Sequence, residues 1–300
     1  MKSLPYPYSA LYAIPLEGSV VVAAQRDPRR LAITIVRLVA VLALAASATL
    51  VLGSTAWARR RPPTTTTTSP TSTTTTSTTT TTLPSTPPPT VGGYDISWPQ
   101  CSQSLPAKPA FGIVGTSNGL AFSDNPCLAQ EYSWAFAASR SPALYMSTAD
   151  PGSQSVHWNT PSPKPCSGAS TDLGCAYNYG WNAASHAFTY ATSQHAVATM
   201  WWLDIETANT WSTYLAANNA DIQGMIDYLH SQSVTVGVYS TAYQWGQITG
   251  SATLAIPNWV AGATSASQAA SWCTPSRSFT GDTVSMVQYP AGSYDGDVAC

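Results

Sequence analysis

The chain has 300 residues, room for one or two domains of ~100–200 residues each. Its formal net charge of −2 conceals an uneven layout: residues 1–61 hold eight Lys/Arg against two acids, and residues 91–300 hold four against twelve. So acidic a C-terminal region repels phosphate backbones, which excludes nucleic acid as its partner.

Residues 1–30 lack periodicity and are read as a cytoplasmic segment. An uncharged run, Leu38–Ala58, follows Arg29, Arg30 and Arg37. A membrane span needs ~20 apolar residues and a signal-peptide core about 7–15, and this run fits either. Ala56-Trp57-Ala58 has the small-x-small form of a cleavage site. Residues 31–58 are therefore a transmembrane anchor or a signal peptide. Both readings place the rest of the chain outside the cytoplasm, membrane-anchored or secreted after cleavage near Ala58. Residues 59–90 are mostly Thr, Ser and Pro, with nothing apolar to bury, and are expected to form a disordered stalk.

Residues 91–300 are expected to form one domain. All six cysteines lie here and none forms a CxxC pair, which indicates disulfides in an oxidising compartment rather than a zinc site. Proximity along the chain favours Cys166–Cys175, a reach from Cys273 to Cys300, and Cys101–Cys127 as the remainder. Short β-rich runs recur at Tyr94–Ser97, Phe111–Thr116, Ala143–Ser147, Met200–Ile205, Val234–Ser240, Asn258–Gly262 and Val284–Tyr289. Helical patterns lie between several of them. Asn125–Ser139 opens on Asn-Pro, an N-cap with Pro at the first helical position. Asn182–Gln194 is Ala-rich, and Asn219–Ser231 carries Ile222, Met225, Ile226 and Leu229 on one stripe. Strands alternating with helices predict an α/β fold, a (β/α)8 TIM-like barrel with a poorly marked seventh strand near Trp272. An open doubly wound sheet is the alternative.

The strand Met200–Ile205 runs into Asp204-Ile205-Glu206. Strand residues two apart share a face, so Asp204 and Glu206 project together at the C-terminal end, where barrel enzymes hold their active sites. Neighbouring carboxylates resist ionising together, which raises one pKa and makes a general acid available near neutral pH. Asp95 ends the first strand. Asp297 follows the last, where closure of a barrel would bring it to the same mouth, although Asp-Gly is also a common turn pair. Trp98, Trp211, Trp245 and Trp259 lie at or near strand ends, where rings stack on sugars or fill a core. Trp201 and Trp202 read as packing. Gly115-Thr116-Ser117-Asn118-Gly119 matches a nucleophile elbow, with His230 downstream, but no helix follows Ser117 directly as that device requires. His157, His186 and His195 show no metal-ligand spacing.

These motifs together resemble the family-25 glycoside hydrolases, the muramidase type of lysozyme. The resemblance rests on Gly93-Tyr94-Asp95-Ile96-Ser97, Asp204-Ile205-Glu206, Gly237-Val238-Tyr239-Ser240, Trp259-Val260-Ala261, Gln288-Tyr289 and Asp297, all in the family's order. It implies a (β/α) barrel in which Glu206 is the general acid, assisted by Asp204, Asp95 and Asp297. Trp98, Tyr145, Tyr239, Trp259 and Gln288 are the candidate substrate contacts. The implied partner is cell-wall glycan, with the membrane reached through the N-terminal segment. No cofactor or metal is implied, and a monomer is expected. Two segments depart from the family pattern: Gly115–Gly119, where Lys-Ala-Thr-Glu-Gly is usual, and Tyr145-Met146-Ser147, where Tyr-His-Phe is usual. They favour the competing reading, a non-catalytic wall-binding module with the same barrel, whereas the Asp204/Glu206 pair favours catalysis.

Overall fold

The computed structural model describes residues 91–107 and 109–300. The run expected to cross a membrane or direct export, and the Thr/Ser/Pro tract after it, lie outside the described residues. No helix among the described residues is long and apolar enough to cross a membrane.

Eight strands follow chain order around a closed barrel. They are β1 (Val91–Ile96), β2 (Gly112–Gly115), β3 (Ala143–Ser147), β4 (Met200–Asp204), β5 (Thr235–Ser240), β6 (Asn258–Val260), β7 (Val284–Ala291) and β8 (Tyr294–Ala299). The helices against it, among the described residues, are α1 (Leu128–Phe136), α2 (Leu173–Ser193), α3 (Leu215–Ser231), α4 (Ala242–Thr249) and α5 (Ala266–Ser271). Strands β1 to β7 pair in parallel, each with the next, and β8 is antiparallel to both β7 and β1. Closure through β8 rules out the open doubly wound sheet.

The barrel departs from eight repeated strand–helix units in two places. β1 leads into a 3-10 turn at Trp98–Gln100 in place of a helix, and β7 turns back into β8 through Gly292 at φ 75°. The strand expected near Trp272 does not form. Ser265 caps α5 there by accepting the Gln268 N–H, and Trp272 ends that helix. The eighth strand is instead Tyr294–Ala299, whose Asp-Gly-Asp sequence reads as a turn.

Successive strand residues alternate between the barrel interior and the helix layer. On β4, Trp202 packs inward on Trp259, ring centroids 5.7 Å apart, and Trp201 packs outward on Phe188 of α2 at 5.8 Å. Phe111, Ile113 and Met286 complete the inner layer. Rings of this size need small neighbours. A Cβ on Gly237 would lie 2.3 Å from the Trp202 ring, and one on Gly93 would lie 2.5 Å from Phe111. Outward residues such as Ile96, Val114, Leu144 and Leu203 join Ile222, Met225 and Leu229 of α3 in the larger core. Trp245 also belongs there, buried on α4 rather than at a strand end.

Three helices begin elsewhere than expected, α3 among them, at Leu215 rather than Asn219. α1 starts at Leu128; Asn125 instead accepts the Cys127 N–H at 2.9 Å and donates to the Gly115 carbonyl at 2.8 Å, which ties the helix to β2. α2 starts at Leu173, well before the Ala-rich stretch, because Asp172 accepts the N–H groups of Gly174 and Cys175. Disulfides join Cys101 to Cys127, Cys166 to Cys175 and Cys273 to Cys300. The last of these fastens the end of β8 to the segment after α5.

Gly237→Ala tests the interior. Overpacking against a ring held on all sides typically costs ~1–3 kcal/mol, so the denaturant midpoint should fall accordingly. An unchanged midpoint would mean that Trp202 does not fill this space.

Candidate active site

β4 delivers Asp204 at its end and Glu206 two residues later, both facing a cavity of about 160 Å³ at the C-terminal mouth of the barrel. The Glu206 carbonyl accepts the Trp211 indole N–H at 2.8 Å and the Asn209 N–H at 3.1 Å, which holds the chain just past the strand. Asp95 of β1 and Asp295 of β8, opposite one another in register, form the facing wall. Tyr145, Tyr239, Trp259 and Gln288 complete the lining, and no Lys, Arg or His takes part.

Four of the five expected substrate contacts therefore lie at this cavity. The exception is Trp98, which is 42% exposed on the 3-10 turn and sits against Gly119 outside the cavity. Asp297 also differs from expectation. It is fully buried and lies outside the cavity lining, accepting the Trp259 indole N–H at 2.8 Å. The residue of β8 that lines the cavity is Asp295. The rule that paired Asp204 with Glu206 would have found it, because Asp295 and Asp297 are also two apart on one strand.

A chain of hydrogen bonds crosses the mouth. Tyr239 donates to Gln288 at 2.8 Å, and the Gln288 amide donates to Asp95 at 3.0 Å. Asp297 lies close behind Asp95, near enough for the Asp95 charge to act on it. Burial raises the Asp95 carboxyl to about 7, opposed by the Gln288 bond and reinforced by the charge of Asp295. Burial and the charge of Asp95 hold Asp297 well above the usual carboxylate range. Asp204 is raised in the same way, first by burial, then by the charges of Glu206 and Asp95, and by a hydrogen bond to Glu206. Its Oδ1 is out of contact with solvent and has no partner. With no cation in the lining, protons take the place of counter-charges. Asp95, Asp204 and Asp297 are therefore each pushed toward the protonated form. Among the described residues, no group of three or more His, Cys, Asp and Glu is arranged to hold a metal ion.

The two segments that depart from the family pattern touch each other. Ser117 and Ser147 are hydrogen-bonded through their hydroxyls at 2.9 Å, and Thr116 donates to the Tyr145 carbonyl at 3.0 Å. A Cβ at Gly115 would lie 2.7 Å from the Tyr145 ring and 2.6 Å from Ser97. The space a long side chain would take at 115 is thus filled by the Tyr145 phenol. Ser117 is buried with no helix directly after it. His230 lies in the last turn of α3, which returns the chain to the opposite end of the barrel, so no nucleophile elbow forms.

The fold and site together define a closed β/α barrel whose mouth holds a cavity with four acids and no basic side chain. Residues 175–272 match the family model of lysozyme-like protein 1, a span that includes Asp204, Glu206, Tyr239 and Trp259. Among solved structures, the chain is similar to the virulence factor GHIP, a glycosyl hydrolase 25 of Streptococcus pneumoniae participating in host cell invasion. That match has 15% identity and a TM-score of 0.43, covering 70% of this chain and 87% of that one. It is also similar to the spore cortex lytic enzyme SleM of Clostridium perfringens, at 11% identity and a TM-score of 0.46, covering 70% of this chain and 67% of that one. No curated protein sequence matches the chain.

The raised carboxyls set a pH dependence. The unfolded chain releases the Asp95 proton near the ordinary value of 3.8, and the folded chain near 7. Through that window the native state binds more protons, so stability falls as the pH rises. Urea midpoints should be higher at pH ~5 than at pH ~7.5, and Asp95→Asn should flatten the slope. A midpoint that rises across this window would contradict the protonation assigned here.

Proposed function

We propose that the barrel is an exported glycoside hydrolase of muramidase type that cuts the glycan strands of cell-wall peptidoglycan, with Glu206 as its general acid. The observation that carries this reading is the Asp204/Glu206 pair at the C-terminal end of β4, in a cavity without basic side chains. The match to a lysozyme-like family over residues 175–272 supports it.

Glu206 delivers a proton to the glycosidic oxygen and is resupplied from the Asp204 carboxyl beside it, and the C–O bond breaks as the leaving sugar departs as an alcohol. Transfer of that proton leaves Asp204 anionic just as positive charge develops on the sugar. The Asp204 carboxylate then stabilises an oxazolinium formed by the substrate's own acetamido group, or orients that group for attack. The Glu206 carboxylate next takes a proton from the water that opens the intermediate. Asp95 and Asp297 tune this pair from across the mouth, while Tyr145, Tyr239, Trp259 and Gln288 contact the sugar. No cofactor enters the scheme.

On this reading the domain works outside the cytoplasm as a monomer. It is carried on the residue 59–90 stalk, and residues 31–58 serve as anchor or signal. Disulfides within the domain fit that location. A glycan-binding module without turnover would keep the same cleft but has no use for two adjacent carboxyls at its mouth.

Reducing-end release from purified peptidoglycan tests the assignment. Glu206→Gln keeps shape and hydrogen bonding but removes the transferable proton, so turnover should fall by at least about 10²-fold while glycan binding persists. Asp204→Asn should also impair turnover and shift the acidic limb of the pH–rate profile. Equal turnover by the parent and the Glu206→Gln variant would overturn the general-acid role. Binding without release by the parent would favour the module.

A further inference from the structure

At the N-terminal end of the strands, opposite the acid cavity, the barrel leaves an apolar pocket of about 190 Å³. Phe111, Met200, Trp202 and Met286 wall it, and Arg140 and Ser141 stand exposed at its rim. Arg140 has no acidic partner among the described residues. Apolar surface left in water costs free energy roughly in proportion to its area, so a pocket of this kind favours an apolar occupant.

The chain enters the barrel beside this pocket. Val91, the first residue of β1, pairs with Ala299 of β8, and Ala299 pairs with Met286 of β7. Ala299 and Met286 both line the pocket. Paired strands lie ~4.8 Å apart, so Val91 is on the order of 10 Å from the pocket wall. The segment leading into Val91 reads Leu83-Pro84-Ser85-Thr86-Pro87-Pro88-Pro89-Thr90. Leu83 is the one large apolar side chain in residues 62–90, which otherwise hold only Thr, Ser and Pro. At ~3.1 Å per residue, a proline-rich extended chain of that length reaches about 25 Å, more than twice the distance required. Its prolines lack N–H groups but keep their carbonyls, for which Arg140 and Ser141 are donors. Aromatic-walled grooves suit such a chain, because it is already extended and loses little entropy on docking.

We propose that this pocket holds Leu83, so that residues 83–90 fold back across the base of the barrel with their prolines against the rim at Arg140 and Ser141. The contact fastens the end of the stalk to the face opposite the acids. It stands independently of the muramidase reading.

Methyl NMR of the full chain in detergent, with carbon-13 in the methionine methyls, tests this. Met200 and Met286 report on the pocket, and the buried Met146 and Met225 report on the rest of the barrel. Leu83→Ser should shift the Met200 and Met286 methyls and leave those of Met146 and Met225 in place. Leu83→Met, which keeps the volume, should add a methyl that cross-relaxes with the ring protons of Trp202 or Phe111. If Leu83→Ser moves all four methyls, that cross-relaxation decides: its presence supports the docking and its absence overturns it. Unmoved Met200 and Met286 methyls in Leu83→Ser would also overturn it. So would shifts that follow protein concentration alike in parent and variant, which would assign the pocket to a second copy. Shifts that follow the detergent's chain length, whatever stands at position 83, would assign it to an acyl chain and overturn the proposal too.

Discussion

Five carboxyl groups at the barrel mouth have no cation among them, and the remaining features follow from that constraint. Asp95, Asp204, Glu206 and Asp295 line the cavity, with Asp297 buried behind Asp95. Crowding and burial push Asp95, Asp204 and Asp297 toward the protonated form, and neutral donors supply the rest. The Trp259 indole holds Asp297, and the Gln288 amide, itself held by Tyr239, caps Asp95.

The barrel's construction enforces the crowding. A strand–helix repeat carried through to the end would place a parallel strand beside β1. The antiparallel β8 instead runs down from the mouth and aligns Asp295 with Asp95 and Asp297 with Gly93. Below the acids, Trp202 and Trp259 fill the interior against Gly237. The Cys273–Cys300 disulfide secures the end of β8 just where that strand carries the buried acid. Fold stability and acid placement thus bear on the same strand.

Legibility in the sequence followed periodicity. Asp204 and Glu206 stood out because a run of apolar strand residues ended in acids of period two, a pattern with few other uses. The stripe on α3 was legible for the same reason at period 3.6. β8 was not, because Asp-Gly-Asp spells a turn when read locally, and only pairing with β1 and β7 makes it a strand. That local reading also hid Asp295 behind Asp297. Trp98 misled because nearness to a strand end says nothing of which way a 3-10 turn points its ring.

The most direct measurement is a carbon-13 titration of the aspartate side-chain carboxyls in the folded chain from pH ~3 to ~9. Mutual crowding predicts several aspartates that titrate well above the usual carboxylate range, Asp95 near 7, with one raised carboxyl lost in Asp204→Asn and another in Asp297→Asn. Titration of every aspartate below pH ~5 would contradict the account, since a fully ionised cluster could neither be buried in this barrel nor hold a proton for transfer.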